Sequence, residues 1–206
     1  MADGRRCAAL ALAVPAKPPL LLASASPRRR ELLAGLGVAF EVITASVVED
    51  EERGTPPRRM VADNAALKAD WVAIRNPGAV VLGADTTVAL DDEALNKPAD
   101  LAEAVRMLRR LSGRTHRVFT GVALRHEERA LRLDEVAVAE VTFKPVGDRE
   151  IKAYLERVQV LDKAGGYAIQ EHGDMLVDRY TGELSTIVGL PLSLVKQFLT
   201  RAGLLG

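Results

Sequence analysis

Between residues 20 and 206 short apolar runs alternate with amphipathic stretches, and two long strand-like segments lie back to back around a polar turn. Such alternation sets helices against a sheet, because each helix must bury its apolar stripe on a strand face. The back-to-back pair adds an antiparallel hairpin. The expectation is an α/β or α+β fold with a mixed twisted sheet and flanking helices, in two lobes, and not a clean doubly wound parallel sheet. The first unit is the sharpest. Leu20-Leu21-Leu22-Ala23 reads as a buried strand, Ser26 suits an N-cap, and Pro27 suits the first helical position. A helix is therefore predicted over residues 28–36, stopped by Gly35 and Gly37.

Further strands are predicted over residues 38–44, 79–83 (continued, or joined by a neighbour, at 86–90), 116–124 and 131–143. Helices are predicted over residues 58–74, 99–111, 148–157 and 192–202, and residues 175–177 with 185–188 as a hairpin around Thr181-Gly182. No linker divides residues 20–206, which gives one domain preceded by a flexible extension over residues 1–19. In that extension Arg5-Arg6 and a short apolar run loosely imitate a signal peptide, but Pro15, Lys17 and Pro18-Pro19 break it.

Charge narrows the function. Lys and Arg total 28 and so do Asp and Glu, so the net charge is zero. The long-range field behind nonspecific nucleic-acid or membrane-surface binding is missing, and neither partner is expected. No run of about 18 apolar residues suggests a transmembrane helix, and the chain is expected in the cytoplasm. Cys7 is the only cysteine, which excludes an internal disulfide and a thiolate zinc site. His116 reads as a strand residue, and His126 and His172 as surface residues. No G-x-S-x-G elbow supports a serine hydrolase triad. A catalytic metal would be hard and oxygen-ligated.

Four segments can carry chemistry. In Ser24-Ala25-Ser26-Pro27-Arg28-Arg29-Arg30 a helix start, two hydroxyls and guanidinium forks meet, which suits phosphate oxygens, although solvated arginines on a capped helix would look the same. In Gly83-Ala84-Asp85-Thr86-Thr87 an acid ends an apolar run. It can ligate Mg²⁺ or accept a proton, or simply form a turn. Lys68 on a mostly apolar helix face and Lys97 before Pro98 can neutralise a polyphosphate, or be solvated. In residues 162–170 small residues admit a ligand to the backbone, and Gln170 offers the donor and acceptor needed to read a base edge; a glycine-rich turn would look similar.

In order, LLLASASPRRRELLAGLGVAFEV, DNAALKA, VLGADTTVAL, LNKPAD, MLRRLSGRTHRVFTGVAL, LDKAGGYAIQ and IVGLPLSLV resemble the Maf family of nucleoside triphosphate pyrophosphatases over nearly all of residues 20–200. The resemblance implies two lobes around a deep groove, similar to inosine triphosphatases, often in a homodimer. It implies hydrolysis between the α and β phosphates with a divalent cation, Mg²⁺ or Mn²⁺. It makes Asp85 the catalytic acid or metal ligand, and gives the phosphates to Arg28, Arg29, Lys68 and Lys97. Ser24 and Ser26 line the same pocket, and Glu49 is a second metal-site candidate. Arg28, Thr86 and Gln170 match the branch that prefers dTTP and UTP; the other branch carries Trp, Gln and Glu there and prefers 7-methyl-GTP. Glu171 departs from the usual Gly. Two other functions remain open: a nucleotide-binding regulator of division or septum formation, and a purine-cleaning pyrophosphatase acting on inosine or xanthosine triphosphate.

Overall fold

The computed structural model describes residues 17–52 and 54–206. Seven strands form one mixed sheet: β1 (Leu20–Ala23), β2 (Glu41–Val42), β3 (Val80–Leu90), β4 (Glu93–Leu95), β5 (Thr115–His126), β6 (Leu131–Phe143) and β7 (Val177–Thr181). Their spatial order is β2-β1-β3-β5-β6-β7, with β4 also on β3. β1 runs parallel to β2 and β3, and every other pairing is antiparallel. The helices are α1 (Pro27–Ala34), α2 (Pro57–Ala73), α3 (Leu101–Leu111), α4 (Asp148–Leu155), α5 (Leu184–Val188) and α6 (Leu192–Arg201).

The long strand β3 organises the molecule. On one edge it pairs with β1 through residues 80–83 and with β4 through residues 88–90. Residues 84–87 have no partner on that edge, so the sheet splits there. Two cores sit on one face on either side of the split. Leu22, Leu82 and Leu124 pack with α1 and α6, while Val88, Leu90 and Phe143 pack with α3 and α4. These are the two expected lobes.

α2 covers the opposite face, and glycine sets how closely. A Cβ at Gly121 would lie 2.2 Å from the Val61 carbonyl oxygen, and one at Gly83 would lie 2.4 Å from that of Ala65. Bare backbone in β3 and β5 thus admits the Ala-rich face of α2 at closer range than any side chain allows.

Most predicted elements appear, with corrections. The strand expected over residues 38–44 shortens to Glu41–Val42. The 79–83 and 86–90 runs are one strand. The 175–177/185–188 hairpin does not form: β7 pairs with β6 instead, and residues 184–188 are helical. Glu183 accepts from the Ser185 hydroxyl and, at 2.5 Å, from the Ser193 hydroxyl, while Gly189 ends the turn at φ 119°. These contacts outweigh the strand preference of Thr186-Ile187-Val188. Most of the extension expected over residues 1–19 lies outside the described residues. Pro19, at its end, already joins the sheet, its carbonyl accepting from Val80 N at 2.9 Å.

Candidate active site

A cavity of about 340 Å³ opens where β3 loses its edge partners. All ten residues singled out from the sequence line it: Ser24, Ser26, Arg28, Arg29, Glu49, Lys68, Asp85, Thr86, Lys97 and Gln170. Five cations (Arg28, Arg29, Lys68, Lys97, Lys163) face three carboxylates (Glu49, Asp85, Asp162). A chain without net charge has gathered a local cationic excess, which draws anions into the cleft.

β1 and α1 build one wall. Ser26 caps α1, its hydroxyl accepting from Arg29 N at 3.4 Å, and the first turn presents Arg28 and Arg29. Arg29 donates to Gly189 O (2.8 Å), Ser24 Oγ (3.1 Å) and Thr86 Oγ1 (3.0 Å), all uncharged. Burial lowers its pKa, opposed by the charges of Asp85 and Glu49. Two of its five N–H groups keep no protein acceptor among the described residues, which suits an incoming anion. Arg28 reaches across the cleft to Asp162, 2.8 Å away. Partial burial works against the Asp162 charge, but hydrogen bonds from Lys163 and Arg28 outweigh it and hold the carboxyl below its usual value.

α2 supplies the second wall. Asn64 and Lys68 are one turn apart and share a face. Lys68 Nζ donates to Asp85 Oδ1 (2.9 Å) and Glu49 Oε2 (2.6 Å), so one ammonium joins the two acids. Asn64, buried and passed over in the sequence, donates to Asp85 Oδ2 at 3.1 Å and to the Asp50 carbonyl at 2.9 Å. Its Oδ1 accepts from Asp50 N at 2.8 Å. Asn64 therefore pins the loop carrying Glu49 to Asp85. A buried amide four residues before a cleft lysine is the signal that could have found it.

The third wall is residues 162–170 and α5. Tyr154 on α4 holds Ala168 by both backbone groups, donating to its carbonyl (3.3 Å) and accepting from its N–H (2.9 Å). His116 Nε2 meets the Tyr167 hydroxyl at 2.8 Å. Burial pushes His116 down to about 4 and Tyr154 up to about 12. Val88, Val118, Ala168 and Ile187 give this end an apolar lining, with Gln170 exposed at its lip. Glu171 does not line the cavity; it lies 3.6 Å from Lys163. His172 is exposed as expected, whereas His126 is buried, at 3% exposure, because it ends β5 within the sheet.

The acid pair offers only carboxylate oxygens as metal donors, and its present partners are the Lys68 ammonium and the Asn64 amide. Asp85 and Glu49 already converge on one cation, so they fit a hard divalent ion, which takes one or two carboxylates and completes its shell with phosphate oxygens and water. Among the described residues no group of three or more His, Cys, Asp or Glu could hold a metal ion, and none of their helices is long and apolar enough to cross a membrane.

Comparison with known proteins places the chain in a family. The family model described as "Maf-like protein" matches residues 19–202. A protein of Myxococcus xanthus named dTTP/UTP pyrophosphatase is 51% identical over 187 residues, covering 90% of this chain and 93% of the relative. One of Akkermansia muciniphila with the same name is 45% identical and covers 90% and 97%. A third, of Deinococcus radiodurans, is 46% identical and covers 90% and 94%. Matched by that family model along nearly its whole length, the chain belongs to the Maf-like family.

Proposed function

We propose that the chain hydrolyses dTTP and UTP to the nucleoside monophosphate and pyrophosphate. The observation that carries this reading is the meeting of an acid pair, Asp85 and Glu49, with Arg29, Arg28 and Lys97 in one cavity at the break in β3. The names of the Akkermansia, Myxococcus and Deinococcus relatives support the substrate class.

In this reading the base lies against the apolar end and Gln170 reads its edge. The triphosphate runs toward α1, where the two unclaimed N–H groups of Arg29 meet phosphate oxygens. Arg28 exchanges Asp162 for a phosphate, and Lys97, unpaired among the described residues, takes the tail. Asp85, fixed by Lys68 and Asn64, accepts a proton from the water that attacks the α-phosphorus. Asp85 and Glu49 would hold a divalent cation, Mg²⁺ or Mn²⁺, which when bound neutralises phosphate charge and makes water more acidic. In-line placement and charge neutralisation together lower the barrier.

The reading also takes a cytoplasmic homodimer as the working form; light scattering at twice 22.2 kDa would support the assembly. Pyrophosphate release across dTTP, UTP, CTP, GTP, ITP and XTP tests the function. Release confined to dTTP and UTP supports it. Preference for ITP or XTP moves the chain to purine cleaning, and binding without release makes it a nucleotide-sensing regulator.

A further inference from the structure

We infer that Thr120, a fully buried residue of β5, is a positioning residue that aims the Arg29 fork at the phosphate tail through the Thr86 hydroxyl. The inference rests on the proposed phosphate role of Arg29. Donor chemistry gives the hydrogen bonds one direction. Thr120 has a single hydroxyl proton, and it goes to the Thr186 carbonyl at 2.8 Å. The 3.0 Å contact between Thr86 Oγ1 and Thr120 Oγ1 therefore has Thr86 as donor. Arg29 can only donate, so its Nη2 supplies the remaining contact to Thr86 Oγ1 at 3.0 Å. One chain runs from guanidinium to Thr86, to Thr120, to the backbone of α5.

The same guanidinium is tied to the end of α5 directly, its Nε donating to Gly189 O at 2.8 Å. Arg29 thus hangs from one short helix twice, through Thr186 at its middle and Gly189 at its C-terminal end. A planar fork recognises phosphate only when its plane is fixed, and among the described residues no carboxylate bonds to Arg29 to fix it. The three neutral contacts do so without cancelling its charge. Strand register makes this possible: Thr86 and Thr120 are directly opposed on β3 and β5. It also explains why a threonine at position 86 lines the cavity while both of its hydroxyl bonds go to protein.

The competing role for Thr120 is to hold α5 in place, and the two roles separate by ligand. Ile187 and Val188 of α5 line the cavity, so a displaced helix would disturb the base end as well as the phosphate end. The test compares wild type, Thr120→Val, Thr120→Ser, Thr86→Val and the double valine variant. Steady-state KM for UTP, binding of inorganic tripolyphosphate and competitive inhibition by thymidine are measured. Thr120→Val is expected to weaken tripolyphosphate binding and raise KM about tenfold, as when the unaimed Arg29 fork loses one hydrogen bond to a phosphate oxygen. Thymidine inhibition should stay as in wild type, Thr120→Ser should restore both values, and the double variant should lose no more than Thr86→Val alone.

Equal weakening of both probes, unchanged tripolyphosphate binding, or multiplying losses in the double variant would overturn the inference. If Thr120→Val fails to fold, a structure of wild type with tripolyphosphate decides. Arg29 still bonded to Thr86 supports the aim, and Arg29 swung free of Thr86 overturns it. Wild type that binds tripolyphosphate but releases no pyrophosphate from any nucleotide would remove the proposed function alone.

Discussion

Asp85 is fixed by two donors, Lys68 at 2.9 Å and Asn64 at 3.1 Å, which leaves its charge and spare lone pairs for chemistry. Asp85→Asn keeps the volume, removes the charge and turns one acceptor oxygen into a donor. Turnover of UTP should fall at least about 10²-fold, the low end for a lost general base, while the thermal midpoint moves little; near-wild-type kcat would reassign the role. Gln170 has no protein partner among the described residues and stands exposed at the lip. Gln170→Glu removes its amide donor and sets a second acid beside Glu171. The preference for UTP over CTP and GTP should drop about tenfold, and an unchanged ratio would show that the base is read elsewhere. At this scale much was legible. Residue chemistry, with the family resemblance adding Glu49 and the reading of Thr86, marks ten positions that line one cavity. What escaped were groups that act on other groups: Asn64, Tyr154 and Thr120 look in sequence like ordinary buried polar residues. In sequence Lys68 looks like a phosphate cation, and only its distances to Glu49 and Asp85 show it joining the acid pair.

At the scale of elements, α2 places the acid pair, and two glycines place α2. Gly121→Ala would set a Cβ 2.2 Å from the Val61 carbonyl oxygen, and rigid backbone on both sides leaves no side chain to yield. α2 must move outward, taking Asn64 and Lys68 from Asp85. Overpacking of this kind costs about 1–3 kcal/mol, and misplacement by about 1 Å can cost 10²-fold in rate. Urea unfolding should show the first and kcat/KM the second; intact kcat/KM in a destabilised variant would show that the helix need not sit so close. Periodicity gave β5, β6 and the long helices well, because each buries one regular face. It failed at Leu184–Val188, where β-branched residues form a helix because Glu183 and Gly189 bind its two ends. It also left β3 undivided only in part, since a strand that keeps one partner and changes the other leaves no mark on its own sequence.

At the scale of the whole molecule, the loop over residues 162–170 hangs on a buried histidine. His116 bonds to Tyr167, and its Nδ1 has no partner among the described residues. Burial lowers its pKa from 6.5 to about 4. Between those values the unfolded chain takes up a proton that the folded chain refuses, so stability falls as pH falls from about 6.5 to 4. The loss should approach about 3 kcal/mol. Urea midpoints across that range should fall for wild type and stay flatter for His116→Gln; parallel curves would assign the acid limb to other groups. The mixed sheet and its two lobes were legible from the order of the runs, but the split in β3, which turns two lobes into a cleft, became visible only in the strand register. If this cleft directs water to the α-phosphorus of a pyrimidine triphosphate, UTP hydrolysed in heavy-oxygen water and followed by phosphorus NMR yields UMP carrying the label and unlabelled pyrophosphate. Label in pyrophosphate, or UDP with inorganic phosphate, would mean that water attacks another phosphorus.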